Sequence, residues 1–364
     1  MSSRSDLVDE VRRTVGQVLD PELHRPLAQL GTLREVRATR NGAVTVNIAV
    51  PTVAPDIVDQ LRARIRDILP AVEHVDVVVE SMSDAERSTA AALMRSRAPG
   101  ESPAAAVYAV ASGKGGVGKS TVAANLAVAL AAQGRAVGLV DADVWGYSVP
   151  QLFGVRRAPS VLDGRMLPVH AFGVGLMSLG FFVEQDQPVV WRGPMLHKAL
   201  TQFLEDTYWG DLDVLVLDLP PGTGDVTLSV LELLPESSLV VVTTPQPAAR
   251  VVASRVGAMA RDVHMPVAGV IENMSELVCP HCAAYTPLFG SGGGQQLADE
   301  LRTELLGQVP LDITLRDAGD RGTPVVTSHP HGHAAVALTQ IAGALRPVRR
   351  GLIGRSLGLT PVAR

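Results

Sequence analysis

The sequence predicts an α/β fold: a mainly parallel, doubly wound sheet preceded by a small α+β unit. Three observations carry this prediction. From residue 107 onward, short runs rich in Val, Leu and Ile alternate with helix-length segments, as strand–helix crossovers require. Those runs are apolar almost without interruption, which fits strands covered on both faces. Residues 43–50, by contrast, alternate apolar and polar as a half-buried strand does, and segment 55–69 places Ile57, Leu61, Ile65 and Ile68 at helical spacing.

Residues 6–80 form the small unit: a helix near 7–19, a stop at Asp20-Pro21-Glu22, a strand at 43–50, a helix at 55–69 and a strand at 75–79. Residues 81–106 turn to Ser, Ala, Arg, Pro and Gly with weak periodicity and read as a linker, partly helical near 85–95. Residues 107–345 hold the large sheet, with strands expected at 107–111, 136–140, 173–178, 214–217, 238–243 and 267–271. Helices fall between them, notably 119–133, closed by Gly134, and 195–206. Residues 346–364 read as a flexible basic tail. Its Gly351, Gly354 and Gly358 weaken any amphipathic helix, and Pro361 ends it.

The chain has 364 residues, 46% of them hydrophobic, enough for one large core and a small one. Its 32 Lys and Arg against 37 Asp and Glu give a net charge of −5, so no global positive field recommends nucleic acid as a partner. No run of about 18 apolar residues occurs, and the start lacks the apolar core of a signal peptide. A cytoplasmic protein without stable membrane association is expected. The only cysteines are Cys279 and Cys282, too few for a disulfide framework.

The run Gly113-Lys114-Gly115-Gly116-Val117-Gly118-Lys119-Ser120-Thr121 follows the first large-unit strand and opens the helix at 119. A phosphate cradle needs successive backbone N–H groups pointing inward and a helix N-terminus facing the anion, and this context supplies both. Lys119 is expected to reach the β and γ phosphates of ATP, and the Ser120 hydroxyl to ligate Mg²⁺. Lys114 makes the loop resemble the deviant Walker A of the MinD, ParA and nitrogenase iron-protein class. That resemblance implies a role for Lys114 in trans, across an ATP-bridged homodimer.

Three aspartates end successive strands. Asp141 and Asp143 follow one, where open α/β sheets bind ligands. In the class this pair sets the metal environment and orients the attacking water, a role the resemblance gives to Asp143. Asp218 ends the run 214–217 and matches the Walker B carboxylate that holds Mg²⁺ through water. The segment 220–225, with Gly222, follows as a phosphate-sensing switch. Asn273 lies where the class recognises adenine, and its amide offers the donor and acceptor that an adenine edge needs. An Asn turn reads equally well from residue type.

Cys279-Pro280-His281-Cys282 follows Asn273 by six residues, on a loop expected to project from the nucleotide unit. Structural zinc, a redox dithiol, an iron–sulfur site and chance all fit a lone CxxC. Two thiolates are half of a four-thiolate site, and a symmetric dimer supplies the other two. Joined to a loop of the dimeric class, the pair favours a bridging cluster.

The run 213–225, the segment 190–195 and Ile271-Glu272-Asn273-Met274-Ser275 with the two cysteines together resemble the Mrp/ApbC iron–sulfur carrier ATPases over residues 107–345. The resemblance implies an ATPase homodimer that binds a 4Fe–4S cluster through Cys279 and Cys282 and passes it from cluster donors to apo-proteins. Residues 6–79 resemble the small iron–sulfur assembly domain that precedes bacterial members. That domain usually carries a cysteine after its central strand, where this chain has Pro51-Thr52-Val53-Ala54-Pro55, so no thiolate chemistry is expected there. The family's Gly-Pro-Ser is Gly146-Tyr147-Ser148 here. The rival readings are a spatial organiser of the MinD or ParA kind and an ATP-dependent zinc or redox protein.

Overall fold

The computed structural model describes residues 4–39, 41–95, 106–143, 146–182, 193–224, 227–228, 230, 233–234, 236–279, 282 and 284–346. The expectations for 190–192, Asp225, Pro280, His281 and the tail from 347 lie outside the described residues.

In the N-terminal unit, helix α1 (Arg4–Gly16) leads to strands β1 (Leu33–Ala38) and β2 (Val44–Val50), helix α2 (Pro55–Ile68) and strand β3 (Val75–Ser81). The three strands form one sheet in the order β1-β2-β3, antiparallel then parallel. The alternation of β2 turns Val44, Val46, Ile48 and Val50 onto Ile57, Leu61 and Ile65 of α2, closing a small core. β1 carries three charges in six residues and has no clean pattern. Arg34 spends its charge on Glu80 and Glu86, which lets the strand pair with β2.

Helix α3 (Asp84–Arg95) occupies much of the segment read as a linker. It is packed rather than loose: Ala90 and Met94 join Leu23, Leu30, Ala49 and Met82 of the N-terminal unit in one apolar cluster with Leu162, Leu167 and Tyr208. The two halves of the chain therefore share a core. A short hairpin, β6 (Ser160–Leu162) with β7 (Arg165–Leu167), lies at this joint.

The large sheet opens with β4 (Ala106–Ser112), helix α4 (Lys119–Ala132) and β5 (Val137–Asp141). After the hairpin come β8 (Val169–Ala171), β9 (Val174–Ser178), helix α5 (Gly193–Glu205) and β10 (Val214–Asp218). Then follow β11 (Ser238–Thr243), helix α6 (Pro247–Asp262), β12 (Val267–Val278) and β13 (Tyr285–Thr286). Helix α7 (Gly293–Leu301), β14 (Leu305–Leu311), helix α8 (Ile313–Asp320) and helix α9 (His333–Ala344) complete it. The strand order is β13-β12-β11-β4-β10-β5-β9-β8, with β14 also on β12. All neighbours are parallel except the end pairs β12–β13 and β8–β9.

Helix α4 is apolar on nearly every side because it is covered on every side, by one face of the sheet and by Ala334, Leu338 and Ile341 of α9. The other face packs Leu200 of α5, Val256 of α6 and Leu297 of α7 over Ala109, Leu217 and Val241. All six strands expected in this region are present, and β12 runs seven residues further than residue 271.

Where the halves meet, the His24 and His170 rings stack with centroids 3.9 Å apart. They border a cleft of about 600 Å³ at the starting ends of β5 and β10. Burial, then the neighbouring His24, Arg157 and Arg64, push His170 well below its ordinary value. His24 is lowered by burial and Arg64, but it opens onto the cleft, so solvent screens its share. The unfolded chain thus binds protons below pH 6.5 that the folded joint refuses, and stability falls as pH drops through that value. Asp20, raised by burial to about 6, works in the opposite sense over the range below. Replacing His170 by Phe keeps a stacked ring and removes one refused proton. A histidine held neutral costs about 1.4 kcal/mol one pH unit below its unfolded pKa. Between pH 7.5 and 5.5 the His170→Phe melting temperature should therefore fall by about 2–4 °C less than that of the wild type.

Candidate functional site

The glycine-rich run 113–118 joins the end of β4 to the start of α4. Gly113 passes so close to α6 that a Cβ there would stand 2.3 Å from the Ala253 nitrogen. Gly118 has φ 79°, in the left-handed region, and a Cβ on it would meet the Asn273 amide nitrogen at 2.2 Å. Only glycine fits either position. The loop, with Ser112, Lys119, Ser120, Thr121, Asp143, Gly146, Pro220 and Pro221, lines a cleft of about 490 Å³.

Lys119 is the buried centre of this cleft. Its Nζ donates to Asp218 Oδ1 at 2.6 Å and to Ser120 Oγ at 3.2 Å, and lies 3.6 Å from Asp143 Oδ2. Asp218 reaches it from β10, the strand between β4 and β5. Burial pushes Asp218 up, and the Lys119 ammonium acts against that. Its Oδ2 is buried with no hydrogen-bond partner, a costly arrangement for a carboxylate oxygen.

Asp141 is the in-register neighbour of Asp218 on β5. It does not line the cleft, and local structure takes up its oxygens: Oδ1 accepts the Asp143 N–H at 3.1 Å, and Oδ2 accepts the Val149 N–H at 3.2 Å and the Ser178 hydroxyl at 3.0 Å. Burial, followed by the adjacent Asp218, pushes its carboxyl up to about 8. Asp141 thus fixes the turn that aims Asp143 at Lys119. Asp143 keeps one oxygen for the Gly146 N–H at 3.2 Å and turns the other to the ammonium.

Lys114 extends from the loop, half-buried, with Nζ 3.4 Å from Gln246 Oε1 at the start of α6. Gly222, at φ 88°, ties the 219–224 segment to β4 through its N–H on the Ser112 carbonyl at 2.8 Å. This segment is therefore anchored beside the cradle.

Asn273 requires a correction. It does not follow the strand end but lies inside β12, because the strand continues to Val278. Its Nδ2 donates to the Val117 carbonyl at 2.9 Å, bracing the loop. It also borders a second cleft of about 400 Å³, which shares Gly118 and Thr121 with the first and is lined by Met274, Pro310, Leu311 and Asp312. Residues 310–312 were not anticipated, since Pro310 argues against a strand and nothing else marks them. Asp312 caps α8 through the Thr314 N–H at 2.7 Å.

The cysteine pair lies between β12 and β13, which pair antiparallel as the arms of a hairpin. Leu277 and Val278 pair with Thr286 and Tyr285, and the Cys279 N–H donates to the Ala284 carbonyl at 2.9 Å. Cys279 is half-buried and Cys282 exposed. Among the described residues, no group of three or more His, Cys, Asp or Glu side chains is arranged to hold a metal ion. No helix among them is long and apolar enough to cross a membrane.

Residues 104–346 match the model of the ParA family, described as the NUBPL iron-transfer P-loop NTPase, and residues 8–80 match that of the iron–sulfur cluster assembly protein. An iron–sulfur cluster carrier protein of Mycobacterium tuberculosis is 44% identical over 99% of this chain and 98% of its own length. Those of Bacillus subtilis and Escherichia coli are 43% and 47% identical, over 83% and 67% of this chain and 88% and 67% of their own lengths. Among solved structures, a nucleotide-binding protein of Archaeoglobus fulgidus in complex with ADP is 35% identical, with a TM-score of 0.53 over 63% of this chain and 93% of its own. The cell-division ATPase MinD of Pyrococcus furiosus, 22% identical, has a TM-score of 0.50 over 66% of this chain and 97% of its own, a likeness of fold. The family-model matches over both units and the identity to these relatives agree with the large sheet and the small unit before it: the chain belongs to the family of NUBPL iron-transfer P-loop NTPases, the iron–sulfur cluster carriers.

Proposed function

We propose that this protein hydrolyses ATP with Mg²⁺ as a homodimer and carries a 4Fe–4S cluster between the Cys279 and Cys282 pairs of two copies, passing it from a donor to apo-proteins. The observation that carries this reading is the placement of both sites on one strand: β12 holds Asn273 against the nucleotide loop and delivers Cys279 directly after Val278.

Within the cleft, the loop N–H groups and the start of α4 receive the phosphates, and Lys119 turns from the carboxylates to the transferring phosphoryl group. The partnerless Oδ2 of Asp218 and the Ser120 hydroxyl suit the oxygen-rich surroundings of Mg²⁺, which when bound offsets charge on the phosphates. Asp143 orients the attacking water, and the second cleft takes the adenine beside Asn273. A spatial-organiser role finds no specific support, and the paired cysteines favour cargo.

Lys114 acts across the dimer. Lys114→Ala should weaken ATP-dependent dimerisation by about tenfold or more, read by light scattering or sedimentation, since it removes one charge–phosphate contact per half. An unchanged dimer would remove its role in trans. The carrier reading is tested by anaerobic reconstitution with iron and sulfide, followed by transfer to a cluster-free recipient enzyme with and without ATP. Recovery of recipient activity is expected; a protein that takes up only zinc, or no metal, would sink the reading.

A further inference from the structure

The proposed function places nucleotide and cluster on one strand, and the irregularity between them deserves a role. Among the described residues, Met274 is the one non-glycine side chain inside a strand with a positive φ, at 56°. The left-handed region is unfavourable for such a residue, and it persists only where the surroundings enforce it. Here they do. Asn273 pairs with Val309 and Leu277 with Leu311, so three residues of β12 stand opposite Pro310 alone. Pro310 has no N–H to give to the ladder. The Ser275 hydroxyl closes the bulge on the Val309 carbonyl at 3.3 Å.

The same residue faces the cleft. Met274 lines the second cleft with Asn273 and Gly118, and its terminal methyl stands 3.7 Å from the point where a Cβ on Gly118 would be. A base entering that cleft meets Met274. On the other side, the hairpin pairing starts at Leu277 and leads straight to Cys279. Five residues of extended chain span at most about 17 Å, so the two events are close. A change of φ at a bulge re-aims everything beyond it.

We propose that Met274 is a positioning residue through which occupancy of the nucleotide cleft sets the pose of the cysteine hairpin. The inference rests on the nucleotide half of the proposed function and not on the cluster. Contact with the base favours one of two backbone arrangements at the bulge, as differential contact requires. The side chain is needed to feel the ligand, and the strained backbone to respond.

The test uses the full chain without cluster, under anaerobic conditions, at concentrations where light scattering gives the mass of a single chain. The rate of alkylation of Cys279 and Cys282 by iodoacetamide is measured with and without saturating Mg-ADP, whose binding is recorded separately. In the wild type, ADP should change the rate by about threefold or more. Met274→Leu, which keeps the apolar bulk and the strain, should retain that ratio. Met274→Gly, which adopts the same φ freely and has no side chain, should bring it within about 1.3-fold of unity while still binding ADP. Equal rates in the wild type, a Gly variant with the wild-type ratio, or a Leu variant that loses it would each overturn the proposal. Because the readout needs no cluster, a failed reconstitution with an intact ADP effect would count against the carrier reading alone.

Discussion

Lys119→Met is expected to reduce ATP hydrolysis by about 10³-fold or more, since it removes the one buried cation, among the described residues, that lines the phosphate cleft. The loss should fall on turnover more than on folding. Breaking a buried ion pair commonly costs about 3–5 kcal/mol because the remaining charge is stranded. Asp218 has another course: burial already pushes its carboxyl up, so without Lys119 it takes a proton and the charge vanishes. The variant should therefore remain folded, with a modest drop in melting temperature and hydrolysis near background. Phosphate release measured alongside thermal unfolding separates the two effects. Turnover within about tenfold of the wild type, a change of only about 1.4 kcal/mol in barrier, would refute the role given to Lys119.

Cys279→Ala and Cys282→Ala, separately, should each abolish cluster binding. A 4Fe–4S cluster takes four thiolates, and either substitution leaves a symmetric dimer with two. Iron, sulfide and zinc analysis after anaerobic reconstitution should fall from one cluster per two chains to none. Nucleotide affinity should stay within about threefold, because neither thiol lines a cleft and both substitutions leave Met274 and the bulge intact. A cluster retained by either variant would move the metal site elsewhere on the chain.

Much of the fold was legible because the strands at the centre of the large sheet are covered on both faces and so are apolar throughout. The elements that escaped obey other rules. β1 carries Arg34, Glu35 and Arg37; Arg37 pairs with Glu35 inside the strand, whereas Arg34 finds its partners Glu80 and Glu86 on β3 and α3. β14 contains Gly307 and Pro310, both poor strand residues. Gly307 is required because Ile341 of α9 would lie 2.6 Å from a Cβ there. The end of β12 was hidden by Glu272, Asn273, Ser275 and Glu276, a polar run that reads as a loop. Glu272 is nonetheless fully buried, accepting the Gly294 N–H at 2.5 Å and the Gln308 side chain at 2.6 Å.

The candidate site divides in the same way. The glycine cradle was readable because backbone geometry itself dictates glycine at Gly113 and Gly118, and Lys119 because its spacing from those glycines completes the pattern. Residue type alone leaves Asp141 and Asp143 equivalent and only the resemblance singles out Asp143; the hydrogen bonds of Asp141 to backbone N–H groups supply the physical difference. The apolar and capping residues of the second cleft, Pro310 to Asp312, meet Asn273 only through the pairing of β14 with β12.

The lashing of the N-terminal unit gives the molecule a polarity. Glu22 accepts the Thr52 N–H at 3.0 Å and the Ser160 hydroxyl at 2.9 Å, and Arg157 joins Glu22 and Asp56 from the other half. These contacts tie the loop 51–55, where the resembled domain usually carries a cysteine, to Arg157 and Ser160, while Val53 at its centre stays 48% exposed. The cleft at the stacked histidines lies where β5 and β10 begin, whereas the phosphate cradle and the cysteine hairpin lie where β4 and β12 end. One rim of the sheet thus carries the joint with the N-terminal unit and its cleft, and the opposite rim carries both the glycine cradle and the cysteine hairpin. Whatever engages the nucleotide and whatever engages the cysteines must approach from that same rim, and compete for or share the ground between them.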